Sequence, residues 1–401
     1  MNAVGIDVSK GKSTVVVMQP LGVVVISPFE VNHTDTELSV LAKTLKNLPG
    51  ETKVIMECTG SYYLPIAHAL RNAGLTVCAL HALLFRGFGN NTIRKNSTDK
   101  LDSLKIANYG LTNWLKLSEF VPDDDIRYLL KTFGRQYNKY SKLKTMLKNN
   151  LIALTDQTFP GVNGLFTSQA RKSDGHEKWI DFIDRFWHCK YICTLSQKTF
   201  SAAYRKWCSS SGYNFSASKA ETIYLQAIGN VGVMPMSDAT KTLVKHAVAQ
   251  ITSISETLAS VAAEMKRLAM SLPEYPVVRE MHGVGDIFCP QLIAEIGDVY
   301  RFPKKSSLVR FAGLEPVDRD SGIFFGRKKI SKQGSPHLRK TLFLIMDGLL
   351  MRAPVNDPIF QFLDRKRTEG KNYYNYMTAG SAKFLRVYYA RVKHYLTFAS
   401  K

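Results

Sequence analysis

The sequence is poor in acidic residues for its size. Its 33 Asp and Glu residues stand against 54 Lys and Arg residues, which leaves a formal net charge of +21. Such an excess indicates a polyanionic partner, most commonly nucleic acid, although composition alone leaves an acidic membrane surface or an anionic protein open. The positive charge is spread along the chain, with dense patches at 127–148, 304–340 and 365–393, which favours a long groove over a single disordered tail.

Long apolar runs are also missing. No segment approaches the roughly 20 apolar residues that a membrane-spanning helix needs. The first residues, MNAVGIDVSKGK, lack the charged start, apolar middle and small-residue cleavage site of a signal peptide. We therefore expect a cytoplasmic protein with no membrane partner. Hydrophobic residues make up 45% and charged residues 22% of the 401, which is the balance of a folded chain with room for two domains.

Cysteine is scarce, with six residues in the chain. In a cytosolic protein of this length we expect these cysteines to be reduced rather than bridged. Cys189 and Cys193 lie four residues apart beside His188, which suggests zinc. No second ligand pair follows at finger-like spacing, only Cys208 further along, so the pattern favours cysteines that pack between helices.

Residues 1–120 read as a first domain in which strand and helix patterns alternate. The first three strands are separated by tight turns, and the later strands by helices. This alternation indicates an α/β sheet with parallel pairing. We predict strands within 4–9, 12–20, 23–31, 52–60 and 75–82, and helices within 34–48, 62–74 and 97–111.

Residues 121–274 read as a helical connector. Two long amphipathic helices, 126–159 and 237–270, could pair in a coiled-coil-like arrangement. The first is basic, and its polar face fits a solvated surface as well as a nucleic-acid contact or a dimerisation arm. Between them, 160–235 carries no motif that indicates a function. From 275 to 401 the pattern is mostly helical, and Pro273 and Pro276 mark the boundary.

Four carboxylates stand out by their placement. Asp7 lies within a first apolar strand, and Glu57 ends a later one. Asp99 and Asp102 lie three apart in a predicted helix, so they share one helix face. Because clustered carboxylates are costly without a cation, and because Mg²⁺ prefers oxygen ligands, the set indicates a magnesium site for phosphodiester chemistry.

The alternative for the helical pair is an ordinary solvated face. Asp99 and Asp102 alternate with Lys95, Lys100 and Lys105, and on their own they fit that explanation better than a metal site. Asp7 and Glu57 are harder to explain in this way because they are embedded in apolar strands.

Two glycines in the C-terminal part suggest a contact with a DNA phosphate. Gly283 and Gly285 lie in HGVGD, between two predicted helices. A turn of this kind can present backbone N–H groups to a phosphate, as helix-hairpin-helix elements do, and it fits a plain helix–helix turn equally well.

A serine in a turn before a basic run is a candidate nucleophile. Ser321 lies between Asp320 and Gly322, and the cations that follow could stabilise charge on phosphoryl oxygens. Ser331 and Ser335 are rival candidates that could equally cap helices. The basic residues that we expect to contact nucleic acid here are Arg327, Lys328, Lys329, Lys332 and Arg339.

Taken in order, several segments resemble one known family. They are GIDVSK, MECTG and STDKLDSLKIA, followed by HGVGDIFCPQLIAEIGD, FAGLEP, DSG and ISKQGSPHLRK. Together they resemble the Piv-type DEDD transposases of bacterial insertion sequences, which form insertion-sequence family one-ten, the bridge-RNA-guided recombinases. The resemblance covers residues 1–155 and 275–400, whereas 160–235 departs from the family pattern and is longer.

The resemblance implies a fold and a site. The N-terminal domain would be RuvC-like with a ribonuclease H fold, followed by a long helical connector and a mostly α C-terminal transposase domain with the helix-hairpin-helix-like element. Asp7, Glu57, Asp99 and Asp102 would bind Mg²⁺. Ser321 would attack the scissile phosphate and form a covalent phosphoserine link.

The resemblance also implies partners. The metal site and the serine would come from different subunits of a tetramer, a dimer of dimers, and a structured guide RNA would pair with donor and target DNA. A guide RNA takes over sequence choice, so such a protein needs charge and shape more than base-reading side chains. The net charge of +21 suits that role.

Three hypotheses follow for the function. The leading one is an RNA-guided DNA transposase or recombinase that cleaves and rejoins strands with a magnesium site and a serine nucleophile. The second is a RuvC-like, structure-specific endonuclease that cuts Holliday junctions with water as the nucleophile. The third is a non-catalytic nucleic-acid-binding protein, against which the presence of all four acids weighs.

Overall fold

The structure is a computed structural model that describes residues 1–58, 60–86, 88, 98–171, 173–317 and 329–399. Its contacts divide the chain into two compact units, Met1–Pro122 and Asp123–Lys401. The sequence-based division into three domains, at 120 and at 274, stays a prediction.

The first unit is a five-stranded mixed sheet with helices on both faces. The strands lie in the order β3-β2-β1-β4-β5. β1, β2 and β3 pair antiparallel, whereas β1, β4 and β5 pair parallel. In chain order the elements are β1 (Asn2–Ser9), β2 (Lys12–Gln19), β3 (Val23–Asn32), α1 (Asp35–Lys46), β4 (Thr52–Glu57), α2 (Leu64–Asn72), β5 (Thr76–Leu80), α3 (Leu83–Arg86) and α4 (Asp99–Thr112).

The predicted strands and helices of this unit are confirmed, but the expected strand pairing is only partly right. Parallel pairing holds for β1, β4 and β5 and is wrong for the first three strands. The reason lies in the connections, because two residues join β1 to β2 and three join β2 to β3, and links this short close antiparallel hairpins. Gly11 takes a φ of +77° in the first of these turns, a conformation that glycine adopts at little cost.

Apolar side chains alternate between the two faces of the sheet, and helices cover both faces. One face presents residues such as Val4 and Ile6 to a core shared with α1 and α2. The opposite face presents Ala3 and Ile55 to a smaller core that includes Ile106 of α4. The period of two thus determines which residues of β1 point toward α4.

The second unit is helical in its described residues apart from one two-stranded ribbon. The two long predicted helices are confirmed as α5 and α10. The elements are α5 (Asp125–Thr158), α6 (Lys178–Arg185), α7 (Cys189–Cys193), α8 (Gln197–Ser210), α9 (Ala217–Gly229), α10 (Asp238–Met270), α11 (Tyr275–Arg279), α12 (Phe288–Ile296), α13 (Lys305–Phe311), β6 (Pro316–Val317), β7 (Lys329–Ile330), α14 (Pro336–Arg352), α15 (Pro358–Thr368) and α16 (Tyr373–Ala399).

α5 and α10 pack against each other in antiparallel directions. Leu130, near the start of α5, belongs to the same core as Met265, near the end of α10. Leu151, near the end of α5, belongs to a second core with Val244, near the start of α10. Each end of the helix pair therefore supports a separate hydrophobic core: α11 to α16 complete the first, and α6 to α9 complete the second.

The motif-free stretch 160–235 is held together by aromatic residues. Phe182, Phe186, Phe200 and Tyr204 are fully buried in its core. Their rings lie in contact, with centroid distances of 4.8 Å between Phe182 and Phe186 and 5.4 Å between Phe186 and Phe200. By burying several large rings, this segment completes the second core together with the ends of α5 and α10.

The zinc-like cysteine cluster has a structural role in this core. The Nδ1 atom of His188 accepts a hydrogen bond from the backbone N–H of Lys190 at 3.0 Å and caps α7. The Nε2 atom lies 3.0 Å from the carbonyl oxygen of Met234. Cys189 is fully buried, whereas Cys193 is exposed. Both ring nitrogens of His188 therefore serve the backbone, and the position of Cys189 agrees with the packing interpretation.

Candidate catalytic acids and basic groove

Two neighbouring parallel strands bring Asp7 and Glu57 to the same edge of the sheet. Ile6 of β1 pairs with Met56 of β4, so Asp7 and Glu57 occupy the next register position. Side chains alternate, so both carboxylates lie on the face that Gly5 and Ile55 share, the face covered by α4. The carboxyl ends of β1 and β4 thus place two acids side by side.

Small residues let α4 approach this face closely. A Cβ atom at Gly5 would lie 2.2 Å from the carbonyl oxygen of Ser103 and 2.5 Å from the nitrogen of Ala107. One turn further along, a Cβ atom at Gly110 would lie 2.6 Å from the side chain of Ile55 and 3.7 Å from Ala3. α4 therefore runs antiparallel to β1, and its first turn continues past Gly5 toward the position of Asp7.

That first turn carries Asp99 and Asp102. The Thr98 hydroxyl accepts a hydrogen bond from the Leu101 backbone N–H at 3.3 Å and starts the helix. α4 thus begins with two acids in its first turn, where the unpaired N–H groups and the helix dipole favour negative charge. The i, i+3 spacing that the sequence suggested holds in the helix, so both carboxylates lie on one side of it.

Electrostatics ties the four carboxylates together. Burial, first of all, and then the charges of Asp99, Asp102 and Glu57 raise the pKa of Asp7 from its usual 3.8 to about 6. A hydrogen bond from the Val8 backbone acts the other way and lowers the pKa of Asp7. The three other acids therefore lie near enough to Asp7 to repel its negative charge.

The four acids lie near one another, but their side chains do not have the arrangement of a complete metal site. Among the described residues, no three His, Cys, Asp or Glu side chains meet the geometry of a metal site. The chemistry of the donors nevertheless fits a hard divalent cation, because four carboxylates offer oxygen ligands and little else. A cation of charge +2 would also relieve the repulsion that Asp7 experiences.

His81, which was not among the predicted site residues, also lies at this edge of the sheet. β5 pairs with β4 so that Leu80 lies beside Glu57, and His81 follows directly. The Cys58 backbone N–H donates to the Leu80 carbonyl at 2.8 Å, which keeps the two strand ends together. The available signal was a polar residue directly after a buried strand, next to a strand already known to end in an acid.

The two glycines of the second unit differ in their surroundings. Gly283 has a φ of +80°, and a Cβ atom there would lie 2.9 Å from Leu349 and 3.0 Å from the Ile345 carbonyl oxygen of α14. A Cβ atom at Gly285 would meet no described atom within 4 Å. Packing against α14 thus accounts for Gly283, and only Gly285 has room for a close approach by another molecule.

Three of the expected nucleic-acid contacts line one groove. Lys329, Lys332 and Arg339 border a cavity of about 1430 Å³ between α13, β7, α14, α15 and α16. Ser321, Arg327 and Lys328 lie outside the described residues, in the connection between β6 and β7. Arg339 also has a structural role, because its guanidinium donates to the carbonyl oxygens of Ala312 at 2.9 Å and Gly334 at 3.2 Å.

The rival serines make hydrogen bonds that stabilise turns and helix starts. The Ser331 hydroxyl accepts from the Gln333 backbone N–H at 3.3 Å. The Ser335 hydroxyl caps α14 by accepting from the Leu338 backbone N–H at 3.1 Å, and it donates to a Glu295 carboxylate oxygen at 2.9 Å. Ser335 therefore fits the role of a helix cap.

Within the described part of the chain, no helix combines the length and the apolar character that crossing a bilayer requires.

Comparison with known proteins gives two matches in chain order. Residues 4–160 match a family model described as Transposase, which covers the first unit and α5. Residues 275–360 match the model described as Transposase IS116/IS110/IS902 family, which covers α11 to the start of α15. The segment 161–274, with the aromatic core of α6 to α9, lies between the two matches.

A curated relative agrees with this assignment. The chain is 27% identical over 157 residues to the Insertion element IS900 uncharacterized 42 kDa protein of Mycobacterium paratuberculosis. The match covers 39% of this chain and spans 38% of the relative's length. The first match contains the four acids, and the second contains the part of the basic groove that runs from α13 to the start of α15. The chain belongs to the IS110-type transposase family.

Proposed function

We propose that this protein is an RNA-guided DNA transposase or recombinase that cleaves and rejoins DNA strands. The observation that carries the proposal is the convergence of Glu57, Asp99 and Asp102 on Asp7, whose pKa rises to about 6. Like charges collected at one edge of a sheet favour a cationic cofactor. The family matches support phosphodiester cleavage as the reaction in which this cofactor would take part.

The strand order supports a RuvC-like, ribonuclease H fold for the first unit. In such a domain an antiparallel meander is extended by parallel strands, and acids lie on the central strand, on its parallel neighbour and on a helix packed across them. β1, β4 and α4 supply acids at the corresponding places.

Asp7, Glu57, Asp99 and Asp102 would hold Mg²⁺. When bound, Mg²⁺ would activate the scissile phosphate as a Lewis acid and stabilise negative charge on the leaving oxygen. Asp7 would serve as the central ligand, because its carboxylate is the one that all three other acids influence. The first turn of α4 would hold Asp99 and Asp102 in place through the Thr98 cap.

Ser321 is the proposed nucleophile. Its hydroxyl oxygen would form a bond to phosphorus while the bond from phosphorus to the leaving sugar oxygen breaks. The serine proton would pass to a base, and the leaving oxygen would take up a proton, so that a phosphoserine link stores the cleaved ester for rejoining. The hydrogen bonds of Ser335 to Leu338 and Glu295 favour Ser321 over that rival.

The proposed partners are donor and target DNA, a structured guide RNA and further copies of this chain. A structured guide RNA would choose donor and target DNA by base pairing, and the positive net charge would hold both nucleic acids by their backbones. Subunits in a dimer of dimers would combine the acids of one chain with the serine of another.

The proposal is tested by purifying the protein with its co-expressed RNA and supplying matched donor and target DNA. Wild-type protein should yield recombinant junctions and a covalent protein–DNA adduct that requires Mg²⁺. Asp7→Asn and Ser321→Ala should both abolish the junctions, and Ser321→Ala should also abolish the adduct.

If Ser321→Ala still cleaves and no adduct is trapped in wild-type protein, water is the nucleophile. The protein is then a structure-specific endonuclease of the Holliday-junction type. Binding without cleavage under every metal condition would rule out both catalytic functions.

A further inference from the structure

The basic groove of the second unit joins a cationic rim to an apolar floor. Its rim carries Arg310, Lys329, Lys332, Arg339, Lys340 and Arg386. Glu315 is the one acidic residue among the described lining residues, and it is paired with Arg310 at 2.7 Å. The groove therefore keeps a strong net positive charge along its length.

Three of these cations have no internal task in the described part of the chain. Arg339 holds two backbone carbonyls, and Lys340 donates to the Asn138 side chain at 2.6 Å. The side chains of Lys329, Lys332 and Arg386 make no hydrogen bond or ion pair with any described residue. Exposed cations arranged around one concavity are the pattern of phosphate-backbone contacts.

The backbone at Lys332 is strained, which is unusual for a residue with a long side chain. Its φ is +55°, a left-handed conformation that costs a non-glycine residue about 1–2 kcal/mol. A hydrogen bond from its N–H to the Gly313 carbonyl at 3.1 Å holds it there. Strain of this kind is typical of positions where a side chain is aimed at a ligand.

The floor of the groove is aromatic and aliphatic. Phe343 and Phe362 are half-buried along it, and Tyr374 is 73% exposed at its side. In a duplex the flat faces of the bases are stacked inside the helix, so they could not cover such a floor. Unstacked bases would bring their faces to the rings while their phosphates met the cationic rim.

We propose that this groove binds a single-stranded segment of nucleic acid, with Lys329, Lys332 and Arg386 on the phosphates and Tyr374 stacked on a base. This deepens the proposed function, on which it rests, because it names the form of nucleic acid that the second unit holds during strand exchange. DNA and RNA single strands share the required chemistry.

The test measures binding without cleavage. Full-length protein in EDTA is titrated against labelled strands of about 15 nucleotides, as single-stranded DNA, single-stranded RNA and duplex DNA, at several salt concentrations. Wild-type protein should bind a single strand more tightly than the duplex. The better of the two single strands identifies the natural source.

The charge prediction uses two variants of equal net charge. Replacing Lys329, Lys332 and Arg386 by Gln should flatten the plot of log affinity for single strands against log salt by about 2, since each phosphate contact contributes about 0.7. The control replaces Lys198, Lys241 and Arg391, which are exposed and lie outside the groove, and should change this slope far less. Arg391 is on α16, as is Arg386.

The stacking prediction uses neighbouring tyrosines. Tyr374→Leu should weaken single-strand binding about tenfold and leave duplex binding unchanged. Tyr373→Leu removes a tyrosine outside the groove and should have little effect on either. Unchanged melting temperatures would establish that all variants are folded.

The proposal is overturned if duplex binds as tightly as single strands, or if the groove and control variants lose the same slope. It is also overturned if the two tyrosine variants behave alike. Because the assay contains EDTA, it reports binding without the metal-dependent reaction. Groove binding without any cleavage would therefore sink the proposed function alone, whereas cleavage with a groove variant of wild-type affinity would sink this inference alone.

Discussion

The acid edge of the first unit and the basic groove of the second are opposite in charge but alike in construction. At the acid edge, Glu57, Asp99 and Asp102 all repel the charge of Asp7. In the groove, six cations line one cavity with a single described acid. Each cluster gathers charges of one sign, and we propose a ligand of the opposite sign for each, a metal cation at the acid edge and a polyanion in the groove.

A second comparison, between α1 and α4, shows that a helix with a structural role and a helix with candidate metal ligands begin in nearly the same way. Both begin with a threonine cap followed by aspartate, at Thr34 and Asp35 in α1 and at Thr98 and Asp99 in α4. Four residues after the cap, α1 has Leu38, which is buried in the core, whereas α4 has Asp102. The same local start thus supports packing in one helix and a candidate ligand in the other.

The largest expected effect is the loss of strand cleavage when Asp99 is replaced, compared with the matching replacement of Asp35 in α1. Asp99→Asn should lower metal-dependent strand cleavage by ~10³-fold, since a ligand contributes several kcal/mol of transition-state stabilisation. Asp35→Asn removes an exposed aspartate at the matching helix position and should leave cleavage unchanged. Equal cleavage by both variants, measured in the recombination assay, would mean that Asp99 only favours the helix start.

The next effect concerns the contact that places α4. Gly5→Val should destabilise the first unit by ~3 kcal/mol or more, because its side chain would collide with the Ser103 and Ala107 backbone. It should also weaken metal binding, since α4 would have to move away from β1. Gly164→Val, at a position with no described atom within 4 Å of the added Cβ, is the control in thermal unfolding. A normal melting temperature for Gly5→Val would contradict the close packing.

Within the groove, replacing a structural cation should lower stability, whereas replacing a ligand-binding cation should weaken nucleic-acid binding. Arg339→Gln should lower stability by about 1–3 kcal/mol, because the Ala312 and Gly334 carbonyls lose a charged donor. Lys332→Gln should leave stability unchanged while weakening nucleic-acid binding. Denaturant unfolding of both proteins distinguishes the roles, and a stability loss at Lys332 as large as at Arg339 would contradict the division.

The smallest effect is a gain in stability at the acid edge. Asp7→Asn should stabilise the metal-free protein at pH 7 by about 1 kcal/mol after allowance for solvent screening of this half-buried group. Because folding raises the pKa of Asp7 to about 6, its stabilising contribution is present below about pH 4 and lost as the pH rises through 6.

The gain should therefore appear in thermal unfolding at pH 7 and disappear near pH 4. A destabilised variant at pH 7 would mean that the Asp7 charge is satisfied without metal.

The sequence predicted the acid edge because its signals are local. Asp7 and Glu57 stand out as carboxylates in apolar strands, and parallel strands end at the same edge. Asp99 and Asp102 follow from the period of a helix. No sequence pattern indicates the contact at Gly5, because that contact depends on how closely α4, which lies much further along the chain, approaches β1.

The groove and the aromatic core were out of reach for the same reason. The groove is assembled from α13, β7, α14, α15 and α16, and periodicity indicates only that each helix has an apolar side, not which cations will face one another. In 160–235 the apolar residues are large rings, whose stacking geometry depends on the fold rather than on spacing. The reversed pairing of β1, β2 and β3, by contrast, was readable from the short turns alone.

The most direct test of the account is to titrate the metal-free protein with Mg²⁺ or Mn²⁺ by calorimetry, comparing wild type with Asp7→Asn, Asp102→Asn and Asp35→Asn. The account predicts saturable binding to wild type and Asp35→Asn, and affinity reduced at least about tenfold in the other two, as second-sphere and ligand losses typically give. Absence of saturable binding to wild type, or equal affinity in all four proteins, would contradict it.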